Sequence, residues 1–201
     1  MKVGKPYHHQ NLRGALLAAS LDLIRQKGES HGLTLREVAR RAGVSHTAPY
    51  RHFRDKDDVL GAIAEEGFVR LAAFLRAAVL EEWYPVRQLR NAMLVYIEFA
   101  WDEPAEYRVM FSVDSDGELP CSARPAAQAF LEAVVALVGD CSRFGRKRAG
   151  DSLSAARFVW AQVHGIAELA IGGRFGFKSR KECVEFATIA IEALAAGMGW
   201  S

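Results

Sequence analysis

The sequence predicts an all-α fold of about nine helices. Three observations carry that expectation: apolar residues recur every three to four positions along almost the whole chain, no alternating apolar and polar stretch of useful length occurs, and Gly or Pro falls between the periodic runs. With 201 residues, 50% of them hydrophobic, the chain can bury a full core. No internal repeat or low-complexity tract is present.

The first helix is expected from an Asn11 cap to about residue 27, ended by Gly28 and Gly32. A second starts at Thr34, because Thr34 and Glu37 have capping-box spacing: the hydroxyl accepts from a first-turn N–H and the carboxylate reaches back to the cap. Val38, Ala39 and Ala42 give this helix a narrow inner face, while Arg36, Glu37, Arg40 and Arg41 stay polar. Gly43 stops it in the left-handed conformation that other residues avoid. Ser45 then caps a short helix over about 46–53, with Val44 pointing inward between the two. Two short helices joined by a tight turn and followed by a third helix start read as a helix-turn-helix that contacts DNA.

The short helix carries little apolar surface beyond Ala48, Tyr50 and Phe53. Its exposed residues include His46, Thr47, Tyr50, Arg51 and His52, all donors to phosphate or base edges, and a helix of this kind fits the major groove. Pro49 is a local conflict, since it removes a helical hydrogen bond and narrows the base-facing geometry. Asp55 caps the next helix, and Asp57 and Asp58 suit its positive dipole end, but Lys56 does not. Two readings of Lys56 stand: a partner phosphate, or solvation by the three aspartates. Residues 1–60 hold eleven Lys or Arg against six Asp or Glu, a net +5, and five of the six histidines; the remainder carries −3. The positive potential thus coincides with the reader.

Beyond it, a long helix from Lys56 to about residue 82 repeats Leu60, Ile63, Phe68, Leu71, Phe74 and Leu75 near helical spacing. Pro85 begins another, with Val86, Leu89, Met93, Tyr96, Ile97 and Ala100 on one face, ending before Pro104. A short helix follows over about 104–111, then an irregular stretch over 112–124, where residues 114–118 lack the spacing and closing Glu of a calcium loop. Pro125 opens a helix to about residue 144, followed by Arg146, Lys147 and Arg148, which with Arg143 read as a solvated helix end ahead of a second DNA contact. The last two helices cover about 151–171 and 180–198. The final one presents the small-residue face Ala187, Ala190, Ile191, Leu194, Ala195 and Met198, to intramolecular core or to a second copy. Trp160 and His164, spaced i, i+4, share a face, and Met93, Tyr96, Met110, Phe111 and Phe130 are apolar or aromatic candidates around a pocket. For each singly, core packing competes with ligand contact. His164 requires a hydrogen-bond partner from protein or ligand, and Gly165 beside it permits close helix approach.

The run Val38-Ala39, then Ala42-Gly43-Val44-Ser45, Tyr50, His52-Phe53, Lys56 and Leu60 resembles the N-terminal domain of the TetR family of transcriptional regulators, and the likeness extends upstream through residues 7–13 and 15–24. Residues 106–111 and the helix from Trp160 to Leu169, with its central His164-Gly165, resemble the ligand domain of a TetR subfamily with a Trp/His-Gly motif. The resemblance implies a reader at 1–55 and a ligand-binding and dimerisation domain at 56–201, with the last two helices forming a four-helix bundle in a homodimer. It also implies a pseudo-palindromic double-stranded operator and repression relieved by a small, largely apolar effector. Carried over residue by residue, Thr34, Tyr50, His52 and Lys56 are phosphate candidates, Arg36, His46 and Thr47 base-edge candidates, and Ser45 the cap beside them. Tyr50 has a second role open to it, packing its ring on Ala42 and Val44, and His52 likewise as a packing residue.

Cys121, Cys141 and Cys183 are odd in number and widely spaced, so no disulfide frame or zinc site follows. No charged-then-apolar leader and no uncharged apolar run of about eighteen residues occurs, which predicts a soluble, cytoplasmic protein without a membrane partner. No cofactor, metal or catalytic residue is expected. The rival classes are an all-α enzyme or carrier, for which no nucleophile–base spacing or phosphate-cradling glycine loop is found, and a regulator sensing oxidation through Cys121 or Cys141.

Overall fold

The computed structural model describes residues 11–28, 30, 32–80, 82–112, 119–144 and 151–200, which form eight α-helices and one short 3-10 turn, with no strand among the described residues. Helix α1 (Leu12–Lys27) starts at Asn11, whose side chain accepts from the Gly14 N–H at 2.9 Å. Helix α2 (Leu35–Ala42) starts at Thr34, whose hydroxyl accepts from the Glu37 N–H at 3.2 Å. The capping box is only half formed. Instead of reaching back to the cap N–H, the Glu37 carboxylate accepts from the Thr34 hydroxyl at 3.1 Å and from the Lys27 ammonium at 2.9 Å, so an ion pair to α1 replaces the second half. Gly43, at φ 70°, ends α2 as expected.

The expected helix over 46–53 does not form as an α-helix. The Ala48 N–H donates to Ser45 O at 3.0 Å, Arg51 N–H to Ala48 O at 3.2 Å and His52 N–H to Pro49 O at 2.9 Å, with a 3-10 turn at Pro49–Arg51. Pro49 is the cause. It lacks the N–H that would reach Ser45 O in an α-helix, so Ala48 takes that carbonyl one residue earlier and the segment tightens. Ser45 therefore caps no α-helix; its hydroxyl lies 3.2 Å from that of Thr47. The side chains that hold the segment to the core are Pro49 and Phe53, both buried, and not Tyr50, whose ring is 61% exposed.

Helix α3 (Lys56–Leu80) runs 25 residues, about 37 Å at 1.5 Å per residue, and joins the reader to the rest of the chain. Leu60, Ile63, Phe68, Leu71 and Leu75 are buried on it, but Phe74 is half exposed. Helices α4 (Pro85–Asp102), α5 (Pro104–Met110), α6 (Arg124–Phe144), α7 (Ser152–Ile171) and α8 (Arg180–Gly197) follow. Asp151 and Ser179 cap α7 and α8, accepting from Ser154 N–H and Glu182 N–H. Helix α3 packs on α4, α5 and α6, while α4 also packs on α7 and α8, and a single apolar core runs through all of them and into α1 and α2. Gly67 lets α5 lie close on α3, since a Cβ there would stand 2.6 Å from Met110 Sδ. Buried Glu106 of α5 is ion-paired with Arg70 of α3 at the same crossing, and Arg70 also lies 5.4 Å over the Phe99 ring.

The small-residue face of α8 is intramolecular: Ala187, Ile191 and Ala195 are buried, and α8 packs on α4. The large apolar residues α7 and α8 leave uncovered are Leu153, Phe158, Leu169, Phe186 and Ile189, the last 68% exposed. Gly165 approaches nothing within 4 Å, so no helix of the same chain uses the space beside it. Residues 7–10 of the upstream likeness, the segment 114–118 and the basic cluster 146–148 lie outside the described residues. Among the described residues, no helix is long and apolar enough to cross a membrane, and no group of three or more His, Cys, Asp or Glu could hold a metal ion.

Candidate nucleic-acid interface and effector core

Thr34, Arg36, Ser45, His46, Thr47, Tyr50, His52 and Lys56 are all exposed, so every one of the eight candidates stands on the surface of the reader. A shallow hollow brings Thr34, Arg36 and His46 together with Arg40, which joins α2 to the segment after the turn. Thr34 and Ser45 spend their hydroxyls locally, on Glu37 and Thr47. His52 tilts against Phe53 at 6.4 Å and keeps an exposed face.

Ion pairing sorts the cations of the reader. Arg13, Arg25, Lys27, Arg41 and Arg54 each meet a carboxylate, on Glu66, Glu103, Glu37, Asp22 and Asp58 respectively. Arg36, Arg40, Arg51 and Lys56 make no salt bridge among the described residues. Two of the three aspartates around Lys56 are otherwise engaged: Asp55 accepts the Asp58 N–H at 2.9 Å, and Asp58 accepts the Arg54 N–H at 2.9 Å and grips its guanidinium at 2.8 and 2.6 Å. That grip holds the Asp58 carboxyl down at about 2 and raises the Arg54 guanidinium. Arg40 was not among the sequence candidates, and Arg51 was named there only as an exposed donor; the lack of a salt bridge at either is visible only in three dimensions.

In the second half, Trp160 Nε1–H donates to Tyr96 Oη at 3.2 Å. Tyr96 Oη lies 3.1 Å from Tyr107 Oη, and His164 Nδ1 lies 2.9 Å from Tyr96 Oη and 2.7 Å from Tyr107 Oη. One proton order satisfies the cluster: Trp160 to Tyr96, Tyr96 to Tyr107, Tyr107 to Nδ1, leaving a neutral imidazole with its proton on Nε2. Burial lowers the His164 pKa, partly offset by Glu168, and burial raises both tyrosines. The protein therefore supplies the partner that His164 needs. Phe111 closes the cluster edge-on to His164, with ring centroids 4.7 Å apart.

Beside the cluster is a cavity of about 30 Å³ between α3, α4, α6 and α7, with Met93, Tyr96, Phe130 and Trp160 in its wall together with Leu75, Leu89 and Val163. Met110, Phe111 and His164 are not in that wall: Met110 is fully buried against Gly67, and the other two lie in the ring cluster. Tyr107 falls in the 106–111 segment that carries the ligand-domain likeness, but it was not among the pocket candidates, and its bond to His164 is visible only in the fold. Cys141 donates its thiol to Pro85 O at 3.2 Å, and burial pushes that thiol up to about 12.

Residues 16–63 match the bacterial regulatory proteins of the tetR family, and residues 89–194 match the tetracyclin repressor-like C-terminal domain. The chain belongs to the TetR family. It is a DNA-binding transcriptional regulator, not an enzyme. A structure from Rhodococcus sp. RHA1, described as a protein of unknown function, is 34% identical over 98% of this chain and 100% of its own, with a TM-score of 0.82. The fatty acid degradation regulator FadR from Bacillus halodurans shares the fold at 15% identity, with a TM-score of 0.79 and 100% of both chains covered. FadR from Bacillus subtilis, solved with stearoyl-CoA, shares it at 14% identity and a TM-score of 0.78 over 92% of this chain and 98% of that one.

Proposed function

We propose that this TetR-family chain acts as a homodimeric repressor that binds a pseudo-palindromic operator through residues 1–55 and releases it when a small, largely apolar effector enters the half formed by 56–201. The carrying observation is the Tyr96–Tyr107–His164–Trp160 cluster, with both tyrosines buried, at the edge of an apolar cavity. A cavity of about 30 Å³ holds no drug-sized molecule, for which pockets of about 300–1,000 Å³ are usual. Effector binding and widening of the core are then one event, and the effector selects the widened state.

Helix α5 supplies the path outward. It carries Tyr107 into the cluster and Glu106 onto Arg70 of α3, while its Ala105 and Val109 line a hollow shared with Ile24 and Arg25 of α1. Arg25 is also bonded to Glu103, just ahead of α5. Displacing Tyr107 moves the surface on which α1 rests, and α1 holds α2 through Lys27–Glu37 and Arg41–Asp22. A hundredfold effector preference for the widened state corresponds to about 2.7 kcal/mol of coupling. The stearoyl-CoA bound by the Bacillus subtilis protein of the same fold supports an effector with an apolar body.

On the reader, Lys56, Tyr50, His52 and Thr34 position the phosphates, and Arg36, His46 and Thr47 face base edges, with Ser45 beside them. The test begins with genomic fragments retained by the protein, whose neighbouring genes suggest effectors to screen in an anisotropy assay. His164→Ala is expected to blunt effector release while operator affinity stays within a few-fold. Loss of operator binding together with unfolding would make His164 a packing residue only, and an unchanged effector response would remove the cluster from the mechanism.

A further inference from the structure

A second groove, of about 920 Å³, opens at the other end of α3 from the reader, between the start of α4 and the end of α8. One wall is Trp83, Tyr84, Pro85 and Arg87; the other includes Glu192 and Trp200. Trp83 is 93% exposed and Tyr84 64%, yet the loop displaying them is fixed, because Glu82 Oε1 accepts the N–H groups of both at 2.9 and 3.1 Å. At the far wall the chain folds back after α8, with Trp200 N–H donating to Ala195 O at 2.9 Å. Trp200 is buried, and its indole N–H is the one buried side-chain polar atom without a partner among the described residues.

The charges of the groove are unequally satisfied. Glu192 is paired with Arg90 at 2.5 Å. Glu82 gives its Oε1 to two backbone N–H groups and holds Arg87 through Oε2 only at 4.0 Å, the long end of an ion pair, while the Arg87 guanidinium carbon lies 5.2 Å from the centroid of the Tyr84 ring. A guanidinium held by one carboxylate oxygen at that distance has donors left for a second, closer carboxylate. We infer that this groove is a ligand site separate from the effector core and takes a planar aromatic carboxylate. Its ring lies against Trp83 and Tyr84, with Trp200 at the far wall, and its carboxylate on Arg87.

The test is calorimetric titration of the full chain with 2-naphthoate, and with 2-naphthalenemethanol as the neutral control of equal ring size. The expected result is naphthoate binding weakened about tenfold or more by Arg87→Gln and by Trp83→Ala, with the alcohol weaker than naphthoate by a similar factor. Both replaced side chains are mostly exposed, so the fold tolerates the changes. Naphthoate binding that neither substitution alters, or an alcohol that binds as tightly, would overturn the assignment, as would no heat with the wild-type chain. Sedimentation showing that Trp83→Ala dissociates a dimer would assign the groove to a second copy and also overturn it. None of these arms reads operator binding, so the effector model stands or falls separately.

Discussion

Arg36, Arg40, Arg51 and Lys56 are left without a salt bridge among the described residues, whereas Arg54, two residues from Lys56, is clamped by Asp58 at 2.8 and 2.6 Å. Neighbouring cations thus differ in what they can offer a phosphate. Lys56→Gln is expected to reduce the slope of log affinity against log salt by about one unit, while Arg54→Gln changes it little and acts on stability instead. Equal slopes for the two variants in a salt titration would refute this division. His164 makes stability depend on pH. Burial lowers its pKa from the ordinary 6.5, so as pH falls below that value the unfolded chain takes up the proton first and stability declines. Urea unfolding between pH 8 and pH 5 should show that loss in the wild type and a smaller one in His164→Gln. The residues of this cluster were partly legible: the i, i+4 pair Trp160 and His164 was found, but Tyr107 was not, because its hydroxyl meets His164 across 57 positions of sequence.

Among the elements, the start of α3 has the tightest local chemistry. Asp55 accepts the Asp58 N–H as the cap, and Asp58 reaches back past it to accept the Arg54 N–H. Asp58→Asn is expected to cost about 1 kcal/mol at neutral pH, the usual worth of a cap. Because the folded carboxyl is held at about 2, below its ordinary 3.8, its contribution is present above pH 3.8 and is lost as pH falls through about 2. The variant should show a shallower acid decline in that window, and an unchanged one would mean that the Arg54 grip adds nothing beyond solvent. Most helix ends could be read from the sequence because caps are local: Asn11, Thr34, Asp151 and the left-handed Gly43 all stand where side chain and backbone alone decide. The segment after Gly43 could not be assigned correctly from apolar spacing. There the deciding event is one missing N–H at Pro49, which shifts the acceptor Ser45 O to a different donor and changes the class of turn.

For the whole molecule, the informative surface is the one that the chain does not cover. Phe158 and Leu169 on α7 and Phe186 and Ile189 on α8 remain exposed, while the small-residue face of α8 is consumed inside the subunit. A second copy docking on these outer faces is the arrangement expected of the proposed homodimer, with Gly165 giving its helices room. Ile189→Asp should yield a folded monomer by sedimentation, with operator affinity falling toward that for an isolated half-site; a dimer that persists would place the interface elsewhere. The sequence left the small-residue face of α8 open between core and second copy, because helical periodicity reports which residues share a face, and not which of two apolar faces meets the chain's own core.

The apolar core that passes without a break from α1 into α3 and α5 bears on how such proteins can be recombined. Leu16, Leu17, Leu23 and Ile24 are buried, and part of what covers α1 comes from α3 and α5. A chimera cut at residue 55 would therefore graft the reader onto a foreign surface and expose some of those leucines. A working hybrid of altered operator choice has to bring α3 along and match Glu103, Ala105 and Val109 to the back of the incoming α1. Specificity in this scaffold is thus transplanted more safely by rewriting the exposed residues of α2 and the 3-10 turn than by exchanging the unit that bears them.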